Sequence, residues 1–354
     1  MVYADYAATC PYVKYPSSAY GPFFNPNANY AYKEKRLLSE AEDRVKKAIG
    51  AKGGKVVFGG TSSQLIENLM TAVHDIFRQK NIQYMTLGSY VEHDSFNRYI
   101  GHKGANLETL NEWLSYYDDV KSIVMWQAVQ NITGEIFPVK QIGELTHKYN
   151  GFYICDGTAL LGHTPIEPNI DDWCDFLVLD GHKAGTELGI GCCWISDRFD
   201  KWLNGLKLHG TPNLAGALAI ADASEDAIGN VKDNVHHWVD LYCYLKKELE
   251  ENGIEYGVVI GSAEWGKWTP AINAIRLPGV NADVLQQYLA SKQIYVSIGG
   301  SACAEKHDYR VLNAYGLSND EASEVIRISF GEDSNVEDVE ALVTAIKEFQ
   351  DVYC

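Results

Sequence analysis

The sequence predicts an α/β fold, with a large domain built on a mostly parallel sheet flanked by helices and a smaller α+β domain. Three observations carry this expectation. Short apolar runs without polar alternation recur at 82–87, 122–129, 152–155, 176–179 and 191–195, as strands covered on both faces require. Segments with apolar residues at helical spacing stand between them. After about Pro212 the texture changes to long helix-forming stretches with fewer, shorter apolar runs.

The elements follow in order. Residues 33–49 read as an amphipathic helix, with Leu37, Leu38, Ala41, Val45 and Ile49 near one face. Residues 55–58 form a strand ending in Gly59-Gly60, and 62–77 the next helix, with Ser62 or Ser63 as its N-cap. The strands 82–87 and 122–129 come next, then a crossover helix at 141–149, then the strands 152–155, 176–179 and 191–195. Residues 217–252 are helical, with Trp238, Leu241, Leu245 and Leu249 on one face and Gly253 as the C-terminal cap. The chain closes with a strand at 271–277, a helix at 282–291, strands at 294–297 and 325–329, and a helix at 336–349. The expected division is a large domain over 15–240 and a small one made of 1–14 with 241–354.

Bulk properties narrow the function. Hydrophobic residues make up 46% of the 354 and charged residues 22%, the balance of a soluble globular protein. A net charge of -17 argues against nucleic acid or an anionic membrane held by bulk electrostatics. No apolar run is long enough to span a bilayer and the N-terminus has no signal-peptide pattern, so the expected location is the cytoplasm. The eight cysteines are scattered, with no CxxC pair and no zinc-ligand spacing. Most read as buried free thiols, Cys192 and Cys193 among them.

Several residues suggest chemistry. Lys183 follows His182 between one apolar strand and a glycine-rich turn, where a costly ammonium is most often kept for a covalent task such as a Schiff base. Taken alone it also reads as a surface turn lysine. Asp156 ends an apolar strand, where α/β sheets bind ligands, or else caps the following segment. The turn 58–63, with Thr61, Ser62 and Ser63, offers amides at a helix N-terminus, as phosphate sites do and as plain caps do. His93, after Glu92, is placed to lie against an aromatic ligand or to remain a loop histidine. Cys303 sits in a Gly-Gly-Ser-Ala-Cys loop followed by Lys306 and His307, a setting that favours a thiolate over a core thiol.

In their order along the chain, these residues resemble the cysteine desulfurase and selenocysteine lyase group of class V aminotransferase-like enzymes. The likeness covers nearly the whole chain and includes residues 3–9 with Pro11, Asn25-Pro26, residues 129–134, Gly210-Thr211, Gly300-Ser-Ala-Cys303 and Arg327-Ile-Ser329. It implies fold type I, pyridoxal 5'-phosphate as cofactor and desulfuration of L-cysteine to L-alanine. Lys183 would anchor the cofactor, His93 stack on its ring, Asp156 pair with its ring nitrogen and Asn131 lie near the ring oxygen or the substrate. Thr61, Ser62, Ser63 and His182 would meet the phosphate. Thr211 would reach the phosphate of a neighbouring subunit, which implies a homodimer. Arg327 would clamp the substrate carboxylate, and Cys303 would take the sulfur as a persulfide for an acceptor protein. Two positions and one turn depart from the pattern: Ala159 replaces glutamine, Asp180 replaces a phosphate-binding serine, and Gly185-Thr-Glu-Leu-Gly189 replaces a glycine-proline turn. These departures leave open a selenocysteine lyase, another amino-acid lyase or aminotransferase, and a non-catalytic dimeric scaffold.

Overall fold

A computed structural model describes residues 1–104, 106–199, 211–260, 267–299 and 308–353. The chain forms two units. The larger comprises Tyr12–Ala128 and Phe137–Asn230, and the smaller comprises Met1–Pro11, Val129–Ile136 and Val231–Cys354. After a two-residue strand of the smaller unit, β1 (Val2–Tyr3), the chain enters the larger one.

The larger unit is organised by seven strands: β2 (Lys55–Gly59), β3 (Tyr84–Ser89), β4 (His102–Gly104), β5 (Lys121–Gln127), β6 (Phe152–Asp156), β7 (Phe176–Asp180) and β8 (Gly191–Ile195). Their order in the sheet is β2-β8-β7-β6-β5-β3-β4. The pairs from β7 through β4 are parallel, whereas β8 runs antiparallel between β2 and β7. The sheet is therefore mostly parallel, as the unbroken apolar runs require.

Each buried strand divides its residues between two helical layers because side chains alternate across the pleat. Ile123 and Met125, Phe152 and Ile154, Phe176 and Val178, and Cys193 and Ile195 share a core with Leu65, Ile66, Leu69, Met70, Val73 and Phe77 of α2 (Ser62–Gln79). α1 (Tyr32–Ala48) precedes α2, and α3 (Asp94–Asn97) and α4 (Leu107–Tyr116) follow it. The alternate residues Trp126, Tyr153, Leu177 and Trp194 are equally buried. α5 (Val139–Lys148) crosses α6 (Ile170–Trp173) so closely that a Cβ on Gly143 would lie 1.8 Å from the Trp173 carbonyl oxygen. Burying each large apolar side chain contributes about 1.5–3 kcal/mol.

α7 (Leu214–Glu251) leads into the smaller unit, and Gly253 beyond it has φ +67°, the left-handed turn expected of a helix stop. Here β9 (Gly257–Val258), β10 (Ile272–Arg276), β12 (Ser297–Ile298) and β13 (Val325–Ser329) form an antiparallel sheet in the order β12-β13-β10-β9. β11 (Ile294–Tyr295) pairs instead with β1 in parallel. α8 (Ala282–Ser291), α9 (Arg310–Ala314), α10 (Asn319–Ala322) and α11 (Val336–Tyr353) complete the unit. The segment Val129–Ile136 is a tight loop in this unit, and its Gly134 is required twice over. Its φ is +77°, and a Cβ there would lie 2.4 Å from the Ile272 carbonyl oxygen.

Candidate active site

The carboxyl edge of the large sheet gathers most of the residues singled out in the sequence. In a parallel sheet all strands point their carboxyl ends the same way, so adjacent connections converge there. Lys183 lies in a short 3₁₀ turn, His182–Ala184, just past β7. The turn is fixed from both sides. Gly181 N–H donates to the Ile190 carbonyl at 2.8 Å, and the Gly185 carbonyl accepts from the amides of Lys14 and Tyr15 at 2.8 and 3.1 Å. Gly185 has φ +89°, which turns the chain out of the short helix.

Asp156 ends the neighbouring β6 and is 6% exposed. Its Oδ1 accepts from the Thr158 amide at 2.9 Å, which aims the carboxylate along the end of the strand. His93 follows β3 and caps α3. Its Nδ1 accepts from the Ser95 amide at 3.2 Å, so a neutral ring carries its proton on Nε2.

Between them lies Glu92, a residue to which sequence reading gave no role. It is fully buried, and its carboxyl accepts from Ser89 Oγ at 2.5 Å and from the Gln127 amide at 2.9 Å. Desolvation pushes its pKa up to about 8; the Ser89 hydrogen bond opposes the shift and the Asp156 charge adds to it. The only sequence signal was a glutamate beside the chosen histidine. The folded pKa exceeds the unfolded one, so stability tied to this proton is complete below about pH 4.5 and is lost as pH rises through about 8. Glu92→Gln is therefore expected to remove a decline of roughly 1.4 kcal/mol per pH unit across that window. Urea midpoints of both proteins at about pH 5 and pH 8 measure this, and parallel declines would rule it out.

At the mouth of α2 the N-cap is Thr61, not Ser62 or Ser63: its Oγ1 accepts from the Gln64 amide at 3.3 Å. The Ser62 amide donates to Asp180 Oδ2 at 2.8 Å. Asp180, 1% exposed, thus turns toward this helix terminus. Its Oδ1 lies 3.4 Å from the His182 amide and 3.6 Å from the His182 ring. Burial lowers the His182 pKa, and the Lys183 charge acts in the same direction against Asp180. Ala159 is buried. Thr211 is exposed, and its Oγ1 accepts from Asn25 Nδ2 at 3.4 Å, which joins the two turns quoted from the sequence.

In the smaller unit, Arg327 on β13 is 2% exposed and meets Asn131 through that residue's backbone. Its guanidinium donates to the Asn131 carbonyl at 2.9 Å, to Asp5 Oδ1 at 2.7 Å and to Ser297 Oγ at 3.0 Å. Its buried Nε has no hydrogen-bond partner among the described residues. Cys303 lies outside the described residues. Cys192 and Cys193 are buried free thiols, as expected, and burial pushes Cys193 up to about 12. No helix among the described residues is long and apolar enough to cross a membrane.

A lysine on a braced turn, an acid at the adjacent strand end and a histidine on the same sheet edge suit the aldehyde, ring nitrogen and ring face of a pyridine aldehyde, in that order. The phosphate end fits less simply, because one of the first amides of α2 is already held by a carboxylate.

A family model described as aminotransferase class-V matches residues 2–342. The chain is 25% identical to a protein named cysteine desulfurase IscS from Dictyoglomus turgidum, over 96% of this chain and 91% of that one. It is also 25% identical to a cysteine desulfurase IscS from Clostridium botulinum, over 98% and 93%. The solved structure of a NifS-like protein from Rickettsia africae superposes with a TM-score of 0.84 at 22% identity, over 99% of this chain and 100% of that one. That likeness shows the fold to be the α/β architecture expected from the sequence.

Proposed function

Given that this chain belongs to the aminotransferase class-V family, we propose that it is a pyridoxal-phosphate-dependent cysteine desulfurase that releases L-alanine and passes sulfur to Cys303 for an acceptor protein. One observation carries the reading. Lys183 is pinned past β7 while Asp156 ends the adjacent β6, so an amine and a buried carboxylate flank one sheet edge. A scaffold protein has no use for that pair.

Bound cofactor supplies an electron sink for the substrate α-carbon. Asp156 would hold the ring nitrogen in its protonated form, and His93 would lie against the ring. Lys183 anchors the cofactor and then moves the proton at the substrate Cα. Thr61, Ser63 and His182 would be left to meet the phosphate beside a Ser62 amide held by Asp180, and Thr211 would serve a second copy of the chain in a homodimer. Arg327, with Asn131 beside it, receives the substrate carboxylate. Its unpartnered Nε supports that role, since a fork of N–H groups suits a carboxylate. The Cys303 thiolate would attack the substrate sulfur and form an S–S bond as the C–S bond breaks; the bonding pair passes to the substrate's β-carbon, which takes up a proton on the way to alanine, and the persulfide stays on the protein. A cytoplasmic, reducing setting suits such a thiol.

The test is an absorbance spectrum of purified protein with pyridoxal phosphate, before and after L-cysteine, paired with alanine release. Cys303→Ala is expected to keep the cofactor band and lose persulfide formation by at least about 10²-fold, in keeping with the removal of a nucleophile. Unchanged persulfide labelling in that variant would remove the thiol's role.

A further inference from the structure

The Asp180 carboxylate stands where the family pattern places a neutral hydroxyl. Its partners are not those of a stray surface acid. It is buried at the end of β7, accepts the Ser62 amide at 2.8 Å, and lies 3.4 Å from the His182 amide and 3.6 Å from the His182 ring. Of the amides opening α2, Ser62 is thus held by a negative side chain from a remote strand, and Gln64 by the Thr61 hydroxyl. An N-terminus with unpaired donors attracts phosphate, but one already bonded to a carboxylate attracts it less and repels its charge at close range.

We propose that Asp180 is a built-in competitor for the cofactor's phosphate, which leaves this chain with little preference for pyridoxal phosphate over the unphosphorylated aldehyde pyridoxal. The proposal rests on the pyridoxal-phosphate reading above. Chemically, the carboxylate substitutes for one phosphate oxygen at the Ser62 amide, so cofactor selection falls to the ring, its nitrogen and its aldehyde. The device makes the covalent anchor at Lys183 the main source of cofactor retention.

The experiment titrates wild type, Asp180→Ser and Asp180→Asn with pyridoxal phosphate and with pyridoxal, following the absorbance band that Lys183→Ala removes. The Asn variant retains an acceptor for the Ser62 amide, which guards against a helix end that collapses in the Ser variant. Both variants are expected to bind pyridoxal phosphate at least about tenfold more tightly than wild type, the direction set by like-charge repulsion at contact range. Affinity for pyridoxal should stay within about twofold, since that ligand has no phosphate to repel. Inorganic phosphate should raise the melting temperature of Asp180→Asn more than that of wild type.

Unchanged or weaker pyridoxal phosphate binding in both variants, with a normal wild-type band, overturns the role of Asp180 and leaves the desulfurase reading intact. Equal phosphate shifts in wild type and Asp180→Asn overturn it too. A missing Lys183-dependent band with either aldehyde in all three proteins removes the functional reading, and the inference goes with it.

Discussion

Lys183→Ala is expected to cut alanine release from L-cysteine by about 10⁴-fold, the upper end of what one positioned proton-transfer group contributes. On the proposed function the variant would lose the covalent anchor and the base together, so the two deficits fall on one side chain. Its backbone should be undisturbed. The turn at His182–Ala184 is held through amides and carbonyls of Gly181, Gly185, Lys14 and Tyr15, none of which needs the ammonium. Melting temperature thus separates chemistry from folding: a near-native melt with lost turnover is the expected pair of results. Turnover within tenfold of wild type would remove Lys183 from the chemistry.

Arg327→Ala carries the second large effect, and here stability moves as well. The substitution removes donors from Asp5 Oδ1, Ser297 Oγ and the Asn131 carbonyl at once. Breaking a buried ion pair costs about 3–5 kcal/mol. The Asp5 side chain is 19% exposed, which places the loss near the lower end of that range, about 3 kcal/mol by chemical denaturation. Arg327→Lys separates the roles. An ammonium can still neutralise Asp5, but it cannot present a planar fork to a substrate carboxylate. The Lys variant should therefore regain most of the stability and raise KM for L-cysteine by at least about tenfold. A native KM in that variant would reassign Arg327 to structure alone.

Much of the sheet was legible because a buried parallel strand has few alternatives to a short, wholly apolar run. Residues 152–155, 176–179 and 191–195 are strands almost to the residue. The direction of β8 was not read, because an apolar run reads the same either way. The signal lay in the connection, since residues 181–190 are too few for the crossover that parallel neighbours need. α4 was also passed over, although Asn106 caps it and Leu110 and Leu114 sit one turn apart.

Residues 294–297 read as one strand but divide, with Ile294–Tyr295 pairing to β1 and Ser297–Ile298 to β13. No local pattern announces that exchange of partners. The site shows the same boundary between local and distant information. Lys183, Asp156 and His93 were visible because a polar residue beside an apolar strand stands out. The Asp180 contact with Ser62 spans 118 positions and the Arg327 contact with Asp5 spans 322, so neither could be read from neighbouring letters. Glu92 was hidden for another reason: a charged letter reads as solvent-facing, whereas its Ser89 and Gln127 partners help make its burial tolerable.

The strand β7, which ends just before Lys183, is joined to β8 by a hairpin closed by five ladder pairs from Asp180↔Gly191 to Phe176↔Ile195. A hairpin stem keeps its register when its tip is lengthened, whereas an insertion in a crossover must be absorbed by a helix and both its neighbours. The exposed tip around Leu188 and Gly189 is therefore the natural graft point on this scaffold. Epitopes or reporter peptides placed there would ride on the segment bearing Lys183 while the ladder amides of β7 and β8 stay protected from hydrogen exchange.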